Sequence, residues 1–189
     1  MGRRMRIIVG ITGASGSIYG YTLIRALHQM GIEIHLIATE MGVKVMQFEC
    51  GVKISDLKQY AIVHDNQNLF ASVASGSFKT DGMVIVPCSM NSLGAIANGV
   101  GDNLLSRAAS VVLKERRGFV IVPREAPFHL IHLKNMTTLA ESGVSILPAS
   151  PGFYHRPVEI WELVNFMVSR ILDELGIENE LMERWGEKK

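Results

Sequence analysis

Short, β-branched apolar runs recur along this chain, and most of them stop abruptly at glycine or polar residues. Met5-Arg6-Ile7-Ile8-Val9, Glu33-Ile34-His35-Leu36-Ile37-Ala38, Met83-Val84-Ile85-Val86-Pro87-Cys88, Phe119-Val120-Ile121-Val122-Pro123 and Val144-Ser145-Ile146-Leu147 have the near-continuous apolar character of strands buried on both faces. Between them the spacing changes to that of helices. Ile18, Tyr21, Ile24, Leu27 and Met30 share one stripe over 17–30, and comparable patterns predict helices over 42–50, 93–97, 103–116, 130–142 and 158–175. Residues 51–81 keep no clear period; there Ala61-Ile62-Val63-His64 reads as a candidate short strand and 74–82 as loop. Strands alternating with helices predict an α/β fold, a Rossmann-like, doubly wound, mostly parallel sheet with helices on both faces. No linker or internal repeat divides the chain, so residues 1–189 are expected to form one domain.

In such sheets ligands bind beyond the carboxyl ends of the strands. That rule gathers the loops at 10–16, 39–40, 87–92, 124–125 and 148–157, each of which puts polar or charged residues directly after an apolar strand. The first, Gly10-Ile11-Thr12-Gly13-Ala14-Ser15-Gly16, joins a strand to a helix. Its glycines permit close backbone approach, and the unpaired N–H groups of a helix start attract anions. A phosphate seat and a purely structural turn fit it equally well, and its spacing is not the G-x-G-x-x-G of dinucleotide enzymes. A phosphate-containing aromatic cofactor lying across several strand ends accounts for the whole set of loops.

Composition removes other classes. With 48% hydrophobic residues the chain can bury a large core, and a formal net charge of +1 offers no basic field for nucleic acid. No apolar stretch is long enough to span a membrane, and the apolar run after Arg3, Arg4 and Arg6 leads into glycines and a helix rather than a signal-peptide cleavage site. Cys50 and Cys88 lie far apart without metal-ligand spacing, which suits a reducing cytoplasm. Cys88, at a strand end, reads as packing rather than as a nucleophile.

The remaining polar residues suggest anion chemistry. Ser89 and Asn91 stand at a helix start, where they can hold an anion or the polar edge of a ring, or simply cap the helix. Arg107 and Lys114 share one helix face, while Arg116 and Arg117 at its end are expected to face solvent. Arg124-Glu125 follows a strand directly, as a phosphate clamp beside a candidate acid or base. Arg170 lies on the apolar stripe of Leu163, Phe166 and Met167, and so needs an acidic ligand, another subunit, or Asp173 and Glu174 of its own helix. Tyr154 sits on a site loop beside His155, and Glu49 has the look of an ordinary helix carboxylate. Arg107, Lys114, Arg124 and Arg170 exceed the needs of one monophosphate, so a second phosphate, from a substrate, is expected.

Taken together and in order, 10–16 with Ile18-Tyr19-Gly20, Pro87-Cys88-Ser89-Met90, Asn103-Leu104-Leu105-Ser106-Arg107-Ala108-Ala109, Leu113-Lys114-Glu115-Arg116-Arg117, Val122-Pro123-Arg124-Glu125, Pro151-Gly152-Phe153-Tyr154-His155 and Arg184-Trp185-Gly186 resemble the UbiX-type flavin prenyltransferases over nearly the whole chain. The chain departs from that pattern at Asn91-Ser92, where Lys-Thr is frequent, and at Ser110, where Asp is frequent. The resemblance implies that reduced FMN is bound and modified without a metal, by transfer of a dimethylallyl group from dimethylallyl monophosphate to N5 and then C6. It implies a flavin seat of Gly13, Ala14, Ser15, Thr39, Ser89, Met90, Asn91, Ser92 and Arg124, with Ser15 near N5. By the same resemblance Lys114, Tyr154 and Arg170, assisted by Arg107, hold the prenyl phosphate, Trp185 lines the prenyl pocket, and Glu49 and Glu125 orient groups and handle protons. It also implies a cytoplasmic homododecamer with sites between subunits, whose prenylated FMN serves a UbiD-type decarboxylase. Two rival readings are an FMN-dependent oxidative decarboxylase of the phosphopantothenoylcysteine type, whose histidine signature is missing, and a non-catalytic flavin-binding partner, which leaves Lys114 and Arg124-Glu125 without a task.

Overall fold

A computed structural model describes residues 3–186. Strand β1 (Arg6–Ile11) leads into helix α1 (Ser17–Gln29), β2 (Glu33–Ala38) into α2 (Glu40–Cys50), and a short β3 (Ile62–His64) follows. Then come β4 (Gly82–Cys88), α3 (Met90–Ala97), α4 (Leu104–Lys114), β5 (Gly118–Pro123), α5 (Leu130–Glu141), a two-residue β6 (Ser145–Ile146) and α6 (Ile160–Glu174). The strands form one six-stranded sheet in the order β3-β2-β1-β4-β5-β6, every neighbouring pair parallel. This is the doubly wound Rossmann order, and the chain reverses direction across the sheet between β1 and β4.

Strand residues alternate between two core layers, as the two-residue period of a strand requires. Ile7, Val9 and Ile11 of β1, Val84 and Val86 of β4, and Val120 and Val122 of β5 pack with α1 and α6. Ile8, Met83, Ile85, Phe119 and Ile121 pack against α3, α4 and α5 on the opposite face. β4, central and covered on both sides, is buried along its whole length. Among the described residues no helix is long and apolar enough to cross a membrane.

Element starts differ from the sequence expectation, and capping explains why. α2 begins at Glu40 rather than 42 because Thr39 caps it, its hydroxyl oxygen accepting from Gly42 N at 3.1 Å. α3 begins at Met90 because Ser89 caps it in the same way. β1 continues through Gly10 and Ile11, so the loop after it is only 12–16. The stretch 51–81 holds β3 and two 3-10 turns, Ile54–Gln59 and Ser72–Ala74, anchored by buried Leu57 and Val73. Turns of that kind are too short to display a helical period. Arg117 does not face solvent as expected; its guanidinium donates to Phe78 O, Thr80 Oγ1 and Gly76 O and pins the 76–80 segment.

Candidate active site

The chain reverses between β1 and β4, and a single buried side chain ties the loops that follow them. Thr12 Oγ1 donates to Pro87 O at 2.8 Å and accepts from Ser89 N at 2.7 Å, while Thr12 N also donates to Pro87 O. The loops after β1 and β4 are thereby tied together. A threonine placed directly after a buried strand at the first β–α turn was the available signal for this role, and sequence reasoning left it unassigned.

At Gly16, with φ +103°, the backbone turns into α1. The anion at this helix start comes from the protein itself. Glu49, from the last turn of α2, accepts from Gly16 N at 2.9 Å and Ser17 N at 3.0 Å. The first turn of α1 is therefore capped by a carboxylate of the protein itself, which sets Glu49 apart from the ordinary helix carboxylate its local sequence suggests. Burial pulls the Glu49 pKa up, but hydrogen bonds from the Ser15 side chain and the Gly16 and Ser17 N–H groups, with the Arg124 charge, outweigh it and hold it below the usual carboxylate range. Arg124, beyond the end of β5, completes the arrangement by donating Nε to Ser15 O at 3.3 Å. Ser15, Glu49 and Arg124 thus meet at one exposed corner of the crevice. Glu125 accepts from its own neighbour Ala126 N at 3.0 Å.

A polar cleft of about 220 Å³ at the carboxyl edge of the sheet is lined by Thr39, Asn66, Asn91, Ser92, Asn103 and Ser106 among others. Thr39 and Ser89 use an oxygen lone pair for capping, and the Thr39 hydroxyl proton remains available to a ligand. Asn66 was not foreseen because it lies in the unreadable stretch. Its backbone and side-chain oxygens accept from Leu104 N and Leu105 N and hold the start of α4. Hydroxyls, amides and the first turn of α3, with the Asp102 carboxylate at the same wall, form a set of donors and acceptors suited to a polar heterocycle. Buried Cys88, whose thiol burial pushes up to about 12, bears out the packing role.

A second group forms around the loop after β6. The Tyr154 ring meets Trp185 edge-on at 5.3 Å and Phe166 at 5.7 Å. A cavity of about 400 Å³ is bounded by Tyr154, Phe166, Arg170, Asp173, Arg184 and Trp185. Arg170 finds partners on its own helix, Asp173 at 3.0 Å and Glu174 at 3.8 Å, the internal pairing left open by the sequence. Hydrogen bonds from Arg184, against some burial and with help from the Arg170 charge and Asn179, hold Asp173 below the usual carboxylate range.

Arg107 and Lys114 are not brought to either group within one chain. Arg107 Nε donates to Ala74 O at 3.2 Å, and Lys114 pairs with Glu115 at 2.5 Å. α4 runs from the crevice edge towards the start of β5, which leaves Lys114 at the opposite edge of the sheet.

Glu49 and Asp173 both have depressed folded-state pKa values, so their stabilisation is complete above the ordinary carboxylate pKa and is lost as pH falls through the folded values. Urea midpoints are expected to hold steady down to about pH 5 and to fall below about pH 4. The slope should be shallower in Glu49→Gln, and an identical slope would show that Glu49 does not contribute.

A Rossmann-ordered sheet with a polar, glycine-lined crevice at its switch point defines a protein that holds a nucleotide-like cofactor at its carboxyl edge. The profile of the flavoprotein family matches residues 1–172. Flavin prenyltransferase UbiX of Thauera aromatica is 46% identical over 182 residues, covering 96% of this chain and 94% of the relative. Flavin prenyltransferase LpdB of Lactiplantibacillus plantarum is 47% identical, covering 95% and 97%. A crystal structure of AnUbiX (PadA1) in complex with FMN and dimethylallyl pyrophosphate superposes with a TM-score of 0.96 at 39% identity, over 99% of this chain and 100% of that one. A dodecameric, FMN-dependent UbiX-like decarboxylase from Escherichia coli O157:H7 gives 0.94 at 40% identity, over 97% and 100%. The chain belongs to the flavoprotein family and, within it, to the flavin prenyltransferases. A phosphopantothenoylcysteine (PPC) decarboxylase mutant shares the fold alone, at 18% identity and a TM-score of 0.65 over 79% of this chain and 84% of that one.

Proposed function

We propose that this protein joins the dimethylallyl group of dimethylallyl monophosphate to N5 and C6 of reduced FMN, with residues 1–189 acting as one flavin-binding domain. The observation that carries the reading is the Ser15–Glu49–Arg124 corner at the switch point of the sheet. Reduced flavin supplies two electron-rich ring positions. Gly13, Ala14, Thr39, Ser89, Met90, Asn91 and Ser92 form its seat, with Arg124 drawing its polar end. Glu49 holds the Ser15 side chain in one direction beside the reacting nitrogen. Tyr154 and Arg170, with Lys114 and Arg107, bind the donor phosphate and neutralise the charge that grows as the carbon–oxygen bond breaks. Trp185 offers an aromatic wall to the allylic group as it becomes cationic, and Glu125 accepts the proton released when the second bond forms.

Lys114 and Arg107 reach that phosphate from a neighbouring subunit, in a cytoplasmic homododecamer that passes prenylated FMN to a UbiD-type decarboxylase. Large apolar side chains left exposed in the single chain, Phe48, Phe70, Val158 and Ile160 among them, support assembly. The dodecameric relative and the relative holding FMN with an allylic diphosphate support the same reading. The test is to mix the protein anaerobically with reduced FMN and dimethylallyl monophosphate, then weigh the extracted flavin. A gain of one C5H8 unit is expected. An unchanged flavin from well-folded protein overturns the proposal.

A further inference from the structure

After α6 the chain folds back over the Tyr154 loop, and one carboxylate fixes it there. Asp173 Oδ2 accepts from Arg170 Nη1 at 3.0 Å and Arg184 Nη1 at 3.1 Å. Its Oδ1 accepts from Arg184 Nη2 at 2.8 Å and Asn179 Nδ2 at 3.1 Å. These bonds fill the acceptor capacity of a carboxylate. Arg184 is held in two-pronged fashion, which sets direction as well as distance. The next residue is Trp185, whose ring stands against Tyr154.

We propose that Asp173 is a positioning residue for the prenyl donor: it orients Arg170 in the cavity wall and, through Arg184, holds Trp185 against Tyr154. The inference rests on the assignment of Tyr154, Arg170 and Trp185 to donor binding. An isolated pair near the surface contributes little. A carboxylate shared by a helix arginine and a tail arginine does more, because ordering the tail and orienting Arg170 become one event. Glu174 lies 3.8 Å from Arg170 Nη2, beyond hydrogen-bonding distance, so the shorter Asp173 contact sets the direction of the guanidinium. Hydrogen bonding keeps Asp173 ionised at neutral pH, so the grip on both arginines persists there.

Asp173→Asn and Arg184→Gln are made in a Trp161→Phe background, where Trp185 is the remaining tryptophan of the two in the chain. Asp173→Asn is expected to raise KM for dimethylallyl monophosphate about tenfold while kcat changes less than about threefold. FMN affinity should stay near the parent's, the thermal midpoint should fall modestly with the loss of the carboxylate charge, Trp185 emission should shift to the red, and the tail should be cut faster by protease. Asp173→Glu, which keeps the charge, should recover part of the emission and of KM. Arg184→Gln should loosen the tail with a smaller rise in KM, and it carries the test alone if Asp173→Asn does not fold. Folded variants with parental KM and parental Trp185 emission overturn the inference, as does a loss of stability or FMN affinity with KM unmoved. A parent that fails to prenylate FMN overturns the functional reading itself, whereas an active parent beside unaffected variants overturns the inference alone.

Discussion

Glu49→Gln is expected to slow dimethylallyl transfer about a hundredfold while oxidised FMN still binds. The carboxylate serves the Gly16 and Ser17 N–H groups and the Ser15 side chain at once, and it faces the Arg124 charge. An amide has one acceptor oxygen where the carboxylate has two, and no charge. It can cap the first turn of α1 but cannot also fix Ser15 as the carboxylate does. The loss of negative charge at a helix start costs only about 0.3–1 kcal/mol, so the fold survives and the rate is the sensitive quantity. Anaerobic single-turnover kinetics with preloaded reduced FMN measure it. Parental rates in the variant would remove Glu49 from the reaction and leave it a helix cap.

The second large effect is structural. Gly42→Ala is expected to destabilise the protein by about 1–3 kcal/mol and to weaken FMN binding more than any surface change. An added Cβ would sit 2.6 Å from Ile11 O, 3.0 Å from Ile11 C and 3.1 Å from Thr12 C. All of these are backbone atoms, so no side chain can swing aside. Alanine in a helix interior gains about 1 kcal/mol over glycine, which overpacking of this severity matches or exceeds. The displaced backbone is the end of β1 and the head of the flavin loop, which is why ligand affinity suffers with stability. Urea midpoints and FMN titration read the two effects separately. Parental values in both would mean that α2 can retreat without dragging the loop.

The sheet was legible because β1, β2, β4 and β5 are buried on both faces and show it as largely apolar runs, interrupted inside β2 by His35. Helix starts were less so, since Thr39 and Ser89 work through one hydroxyl that has no periodic trace. The region 51–81 was opaque for a related reason: Leu57 and Val73 anchor it singly. At the site, the strand-end rule found the right loops, but chemistry within them depended on partners distant in sequence. Glu49 lies 33 residues from Gly16, and Arg124 lies 109 from Ser15. Nothing in either local segment announces that they meet. Arg170 shows the converse, for its partners at spacings of three and four were visible from the start.

Thr12 gives the crevice a mechanical character. Its hydroxyl rivets the ends of β1 and β4 with two short hydrogen bonds. The two loops are thus coupled through one buried side chain, so that neither shifts without the other. A substitution that removes this hydroxyl therefore loosens two loops at once, although it touches one side chain.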